Sequence, residues 1–164
     1  KQVIRHFLHA LFNRNNLHLT VTRQFWPRSS LIQLDTAVKG GPQMLDAENT
    51  RNAMLDIVRP KQEVVISVTC GTFGFRKAAR GEFDAAYETT IGLLKKMEEK
   101  NMLNDEHSPI PYTVTMRGFS KGRMGFISAL QAPDSAKLVA RIDRFIEDTP
   151  IKFGGTRSRK VRRL

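Results

Sequence analysis

Residues 63–70 are Glu-Val-Val-Ile-Ser-Val-Thr-Cys, and residues 71–81 are Gly-Thr-Phe-Gly-Phe-Arg-Lys-Ala-Ala-Arg-Gly. The first segment is rich in β-branched residues, which favour a strand. The second is punctuated by glycine and predicts a loop. A helix is predicted from about 83 to 100, with an apolar stripe of Phe83, Ala86, Tyr87, Ile91, Leu94 and Met97. A strand that leads through a loop into a helix indicates an α/β unit.

A second unit of the same kind follows the break at Ser108-Pro-Ile-Pro111. Residues 112–117 predict a strand, residues 118–123 a loop of sequence Gly-Phe-Ser-Lys-Gly-Arg, and residues 123–131 a helix. A last strand is predicted at about 139–147. Because strands alternate with helices, the sequence predicts one α/β domain over residues 1–153.

The amino-terminal segment, residues 6–23, contains two apolar runs around the turn-forming sequence Asn13-Arg14-Asn15-Asn16. The second run, residues 17–22, alternates strictly between apolar and polar residues, which predicts a half-buried strand. The first run, residues 6–12, fits a helix or a strand. The chain begins at Lys1 and not at Met. We therefore expect that a leader has been removed or that residues precede Lys1, and targeting cannot be read directly.

Residues 24–62 form an insert between these units, interrupted by Trp26-Pro27, Gly40-Gly41-Pro42 and Arg59-Pro60. Apolar residues at helical spacing predict one short helix at about 46–59. The charges of the insert nearly balance, and its apolar side chains exceed what one short helix can hide. We therefore expect it to dock on a neighbouring protein or to cover the domain's own sheet. Trp26 is interpreted as a packing anchor for the insert; the alternative is that it stacks on a base.

The charge of the chain indicates an acidic partner. The formal net charge is +11, and no carboxylate follows Asp148 in a tail that carries Lys152, Arg157, Arg159, Lys160, Arg162 and Arg163. Nucleic acid is the first candidate and an anionic membrane the second. No run approaches the ~20 apolar residues of a membrane span. A like-charged tail, residues 154–164, is expected to become ordered on a polyanion; the alternative is a solvated, disordered tail.

Both predicted loops combine glycine with cations before a helix: Arg76, Lys77 and Arg80 in the first, Lys121 and Arg123 in the second. Glycine allows close approach to a phosphate, and a helix N-terminus offers free N–H groups. Since loops that follow parallel strands gather at one sheet edge, loops and tail are predicted to line one basic surface. The alternative is that the glycines serve turns and the cations are solvated. The second loop lacks the spacing of a nucleotide-triphosphate loop.

The sequence offers little for catalysis. His6, His9, His18 and His107 do not form a metal-ligand pattern. The single cysteine, Cys70, excludes an internal disulfide and a multi-cysteine zinc site, and it is interpreted as a buried thiol. Glu63, Glu147 and Asp148 are too few carboxylates at strand ends for a two-metal nuclease. The sequence therefore predicts neither an enzyme nor a bound cofactor.

Three blocks of the chain resemble a known family. They are residues 71–86, with the Gly-x-x-Gly-Phe-basic pattern and a following Phe-Asp-Ala-Ala; residues 118–130, with Gly-x-x-x-Gly-Arg before Ala-Leu; and residues 147–163, with Glu-Asp-Thr-Pro-Ile before the basic tail. In this order they resemble the universal small-subunit ribosomal protein S eleven, in a divergent mitochondrial form. Residues 6–23 match more loosely, and residues 24–62 have no counterpart in the compact bacterial form. The prolines of the family's Gly-Pro-Gly-Pro-Gly turn are absent, Lys152 and Phe153 replace Pro and His, and Thr156 replaces Cys.

The resemblance implies a ribonuclease-H-like mixed sheet with flanking helices and a basic C-terminal tail, without nuclease activity. It implies a structural role on the platform of the small subunit, near the path of the exiting messenger RNA. Small-subunit ribosomal RNA and neighbouring ribosomal proteins are the expected partners, with no membrane and with Mg²⁺ only through bound RNA. The expected location is the mitochondrial ribosome in the matrix, the alternative being a bacterial cytoplasm or another organelle. The rivals in function are a free-standing RNA- or DNA-binding module and a nuclease of the same fold.

The predicted RNA-binding residues come from the two loops and the tail. They are Arg76, Lys77, Arg80, Gly118, Lys121, Gly122, Arg123, Lys152, Arg157, Arg159, Lys160, Arg162 and Arg163.

Overall fold

The chain begins with a long β-hairpin. The computed structural model describes residues 2–27, 47–103, 110–157 and 160. Strand β1 (Gln2–Asn13) pairs antiparallel with β2 (Asn16–Trp26), and alternate residues are buried from Leu8 to Phe12 and from Leu17 to Val21. The first apolar run, which fits either structure by pattern, is therefore a strand. Its alternate side chains need a sheet face on which to be buried.

Three further strands complete a mixed sheet in the described part of the chain. Strands β3 (Lys61–Thr69), β4 (Tyr112–Arg117) and β5 (Ile142–Glu147) give the order β3-β2-β1-β4-β5. The β1–β2 and β2–β3 pairs are antiparallel, and the β1–β4 and β4–β5 pairs are parallel. Strands β1, β3, β4 and β5 thus run in one direction and end at one edge of the sheet. The predicted mixed α/β architecture is confirmed.

Two helices cover the face of the sheet that carries the buried strand residues. Helix α1 (Ala47–Val58) lies in the insert, and α2 (Phe83–Glu99) and α3 (Lys121–Gln131) form the cover. Leu93 and Met97 of α2 and Phe126 of α3 join the same core cluster as the strands. One edge-on contact, between the rings of Phe126 and Phe12 at 5.5 Å, fixes α3 against the end of β1.

The predicted stripe of α2 is partly wrong. Phe83 is 41% exposed, whereas Thr89, Thr90 and Leu93 are buried. Burial of the threonines is possible because their hydroxyls donate to the carbonyl oxygens of Ala85 and Ala86, at 2.6 and 2.7 Å. The buried face is therefore rotated toward residues that look polar in sequence.

Several predicted boundaries are also wrong. Helix α3 begins at Lys121 and not at 123, because Ser120 has extended backbone angles and its carbonyl accepts from the N–H of Arg123 at 3.1 Å. Residue 139 ends a one-turn helix, α4 (Ala136–Val139), which buries Leu138, so β5 begins only at Ile142. Strands β2 and β3 extend into both ends of the predicted insert 24–62.

The insert helix lies where the spacing predicts it, and Trp26 contacts it. The Trp26 Nε1–H donates to the carbonyl oxygen of Ile57 at 3.2 Å, as expected for an anchor. Cys70 is buried, as predicted, although the strand ends one residue before it. In the described part of the chain, no helix has the length and apolar character needed to cross a membrane.

Candidate nucleic-acid interface

The first basic loop follows β3 at the common edge of the sheet. Two short 3-10 turns, Cys70–Phe73 and Lys77–Gly81, build this loop. Arg80 is half-buried and its Nε–H donates to the carbonyl oxygen of Phe75 at 2.9 Å, so this cation fixes the loop's own shape. Arg76 and Lys77 are exposed. The loop thus has one internal cation and two that face solvent.

The second loop joins β4 to α3 and is fixed at Gly118. The φ angle of Gly118 is +93°, and a Cβ there would lie 2.4 Å from the carbonyl oxygen of Phe12. The N–H of Gly118 donates to Thr149 Oγ1 at 2.8 Å. This glycine therefore lies tightly between the end of β1 and the start of the tail.

Arg123 supports this loop from the first turn of α3. Its Nη1 donates to the carbonyl oxygen of Gly118 at 3.3 Å, and its Nη2 pairs with Glu147 Oε2 at 2.5 Å. Its guanidinium lies over the ring of Phe119, 4.7 Å from the ring centroid. Only 19% of the Arg123 side chain is exposed. Its guanidinium thus links loop, helix and last strand.

The two loops and the segment that leads into the tail lie next to one another. Lys121 Nζ at the start of α3 lies 3.4 Å from Glu82 Oε2, immediately after the first loop. Gly118 and Arg123 connect the second loop to Thr149 and Glu147, which precede the tail. The two loops therefore gather at one sheet edge, as predicted, whereas the place of the tail on this surface stays a prediction. Their contact with RNA stays a prediction.

Gly122 lies in a different environment from the one that its sequence suggests. It is inside the first turn of α3 and buried, and a Cβ there would lie 3.2 Å from Ala86 Cβ of α2. Gly125, one turn later, is still tighter, since its Cβ would lie 2.4 Å from the carbonyl oxygen of Phe83. Gly122 therefore serves the close packing of α2 on α3. Whether its N–H also contacts a phosphate stays a prediction.

The tail is described through residue 157 and at 160. Lys152, Arg157 and Lys160 are exposed, and Lys152 Nζ donates to the carbonyl oxygen of Thr156. Residues 154–157 and 160 are in neither helix nor strand. The remaining predicted contacts lie outside the described residues: Arg159, Arg162 and Arg163.

The structure adds two cations that the sequence analysis did not select. Arg14 is exposed in the turn of the β1–β2 hairpin, and Gly81 of the first loop rests on it: a Cβ at Gly81 would lie 2.7 Å from the Arg14 carbonyl oxygen. Arg117, the last residue of β4, is also exposed. Only the topology shows that hairpin turn and strand end share an edge. The signal for them in the sequence is a cation at the point where a strand ends: Arg14 follows β1, and Arg117 ends β4.

A groove lies at the same edge on the sheet face opposite α2 and α3. Its lining includes His9, His18, Arg117 and Asp148. Burial lowers the pKa of His9, and the charge of Asp148 opposes this only in part.

Two acidic side chains at the edge pair with its cations, Glu82 with Lys121 and Glu147 with Arg123. Hydrogen bonds from Arg123 and then Thr149 hold the pKa of Glu147 below its usual range. His6, His9 and His18 lie in strands, and His107 is outside the described residues. Within the described ranges, no three His, Cys, Asp or Glu side chains cluster as metal ligands would.

Comparison with known proteins shows relatives of this chain. No family profile matches it. A protein named small ribosomal subunit protein uS11m from Neurospora crassa is 35% identical over 113 residues, which is 69% of this chain and 29% of that protein. Proteins of the same name from Schizosaccharomyces pombe and Bos taurus are 31% and 27% identical, over 48% and 51% of their lengths.

The chain is a homologue of uS11m. The resemblance that the three sequence blocks carry is thereby confirmed. The match covers 69% of this chain in each case, but the matched part spans only about a third to a half of the length of these curated relatives.

Proposed function

We propose that this chain is a structural constituent of the mitochondrial small ribosomal subunit that binds its ribosomal RNA. The observation that carries the proposal is that both basic loops and the segment leading into the tail lie at one sheet edge, in a chain homologous to uS11m. RNA helices crowd together in a ribosome, and a surface of this kind neutralises their phosphates. The role is scaffolding, with no chemical step and no resident cofactor; Mg²⁺ enters only with the RNA.

Two kinds of cation have different tasks in this proposal. Arg80 and Arg123 bond to loop carbonyls and keep the surface in shape before RNA arrives. Arg76, Lys77 and Lys121 are exposed on that fixed surface and face phosphates. A surface that is already ordered loses little conformational entropy on binding. The tail, residues 154–164, then follows the RNA as an extension of the domain, residues 1–153.

The position proposed is the platform, close to the path of the exiting messenger RNA. We also propose a ribonuclease-H-like fold, with which the strand order β3-β2-β1-β4-β5, antiparallel among β1, β2 and β3 and parallel from β1 through β4 to β5, is compatible. Nuclease activity is not part of the proposal. Glu147, one of the two carboxylates available at the end of β5, is the ion-pair partner of Arg123.

The insert is proposed to contact a neighbouring ribosomal protein. Met54, Leu55 and Val58 of α1 are 56, 47 and 75% exposed, although the same helix bonds to Trp26 through Ile57. Positions 54, 55 and 58 lie on one side of a helix. An apolar side that the domain leaves in solvent suits a protein contact better than a phosphate.

Gradient sedimentation tests the proposed function. The tagged chain, expressed in cells and followed in mitochondrial lysates, should travel with the small subunit. It should move to slower fractions when the lysate is treated with EDTA and ribonuclease, because the subunit then falls apart. If the chain stays at the top of an untreated gradient while other small-subunit proteins sediment, it is a free-standing RNA-binding module and the proposal is wrong.

A further inference from the structure

The ring of Phe119 is an exposed aromatic surface in the middle of the basic edge. Its side chain is 74% exposed, although phenylalanine is normally buried. The loop that carries it is not loose. Gly118 is bonded to Thr149 and lies against Phe12, and Ser120 immediately precedes helix α3. The ring is thus presented to solvent from a backbone that is fixed on both sides.

One face of this ring is already occupied. The guanidinium of Arg123 lies 4.7 Å from the ring centroid, and Arg123 is itself held by Glu147 and by the carbonyl of Gly118. A cation over an aromatic face is attractive and orients the ring. The arrangement leaves the other face of an oriented ring for a flat partner.

The charges around the ring indicate what that partner is. Arg117, Lys121 and Arg123 lie within four positions of Phe119, and residues 117–123 contain no carboxylate. Arg117 and Lys121 are exposed. A protein partner would have to supply several carboxylates around an apolar pocket, whereas an RNA strand supplies phosphates on both sides of every base. An aromatic face with cations beside it is the combination that proteins use to bind single-stranded RNA.

We propose that Phe119 stacks on an unpaired RNA base, with Arg123 behind the ring and Arg117 and Lys121 on the adjoining phosphates. This inference rests on the proposed function and deepens it. It assigns to the edge a contact with a base in addition to contacts with the backbone. Stacking needs no particular base, because every base has an aromatic face.

A comparison of two RNA probes tests the stacking. One is a single-stranded oligoadenylate of twelve nucleotides, and the other is an abasic oligomer of the same length and charge. Fluorescence anisotropy at fixed salt gives the affinity of the full chain for each, with wild type, Phe119→Leu and Phe119→Trp. Val139→Ala, which alters another exposed apolar side chain away from the loops, is the matched control.

We expect wild type to prefer the oligoadenylate by about fivefold or more, which is the usual effect of one stacked base. Phe119→Leu should lose most of this preference without changing the affinity for the abasic oligomer. Phe119→Trp and Val139→Ala should keep it, and the tryptophan fluorescence of Phe119→Trp should be quenched only by the oligomer with bases. Circular dichroism should show all variants folded, since position 119 is exposed.

Three results would overturn the inference. If Phe119→Leu keeps the full preference, the ring does not stack, and binding to the abasic oligomer shows that the phosphate contacts of the proposed function are unaffected. If wild type binds neither oligomer, both proposals are wrong. If Phe119→Leu binds both probes normally but no longer enters the small subunit, the ring contacts a protein.

Discussion

Replacing Gly118 by alanine should be far more destabilising than its exposed loop suggests. Two costs combine at this position. The φ angle of +93° is strained for any residue with a Cβ, at about 1–2 kcal/mol. The new Cβ would also lie 2.4 Å from the Phe12 carbonyl oxygen, so the loop or the end of β1 must move by roughly 1 Å to reach an ordinary contact. Overpacking of that kind costs about 1–3 kcal/mol.

The sum predicts a loss of about 2–5 kcal/mol in the free energy of unfolding, or about 10 °C in Tm for a chain of this length. Urea denaturation of the purified chain, followed by circular dichroism, measures the first quantity directly. The matched control is Gly74→Ala in the other basic loop. Gly74 has nearly the same φ, +87°, but a Cβ there would meet nothing within 4 Å.

Gly74→Ala should therefore show the backbone strain alone, and the difference between the two variants isolates the contact with Phe12. The reasoning is refuted if Gly118→Ala is no less stable than Gly74→Ala. In that case the end of β1 moves away from the new Cβ without lowering the free energy of unfolding, and the second loop is not fixed against the sheet. Loss of that fixed position should also weaken RNA binding through Phe119, whereas Gly74→Ala should leave the second loop unchanged.

Three other predictions concern the tail, the last strand and the insert. Deleting residues 154–164 removes five cations and should flatten the dependence of log affinity on log salt by about 3.5–4.5 units, since each phosphate contact adds ~0.7–0.9; an unchanged slope would mean that the tail is only solvated. Because the pKa of Glu147 is lowered in the fold, its ion pair stabilises at neutral pH and is lost as the pH falls through that pKa. The free energy of unfolding of wild type should therefore exceed that of Glu147→Gln at pH 7 and converge with it once the pH falls below the lowered pKa of Glu147; a gap independent of pH would contradict this. Replacing residues 30–58 by a short Gly-Ser linker should spare binding to naked ribosomal RNA and weaken incorporation into the subunit. If the shortened protein instead loses RNA affinity but is incorporated normally, the insert contacts RNA and not a neighbouring protein.

Local pattern predicted most elements of the described chain. The β-branched run before Cys70, the alternation of residues 17–22 and the helical spacing near 47–58 are confirmed because each reports on a few neighbouring residues. The same local logic failed at the start of α3, which begins at Lys121 and not at 123, and at residues 89 and 90. Thr89 and Thr90 are polar residues, yet they are buried, because their hydroxyls donate hydrogen bonds to carbonyl oxygens of their own helix.

The sequence alone determined three properties: the homology to uS11m, the positive charge of the chain, and the identity of the basic residues in the two loops and the tail. Motif order and net charge do not depend on how the chain is folded. The tertiary structure decided which cations hold the loops and which face solvent. The sequence predicts that Arg123 binds RNA, and this contact stays a prediction; the fold adds its bonds to Glu147 and Gly118 and its position over the ring of Phe119.

The role of Gly122 was likewise decided by packing. A glycine between two basic residues suggests room for a phosphate, whereas the neighbour that limits it is Ala86, 36 positions earlier in the chain. The positions of Arg14 and Arg117 were also decided by the fold. Both lie at one edge of the sheet because β1 pairs antiparallel with β2 and parallel with β4. Sequence spacing carries information about neighbours along the chain. Contacts between distant segments follow from the pairing of strands and from the space between packed helices, and only the fold supplies these.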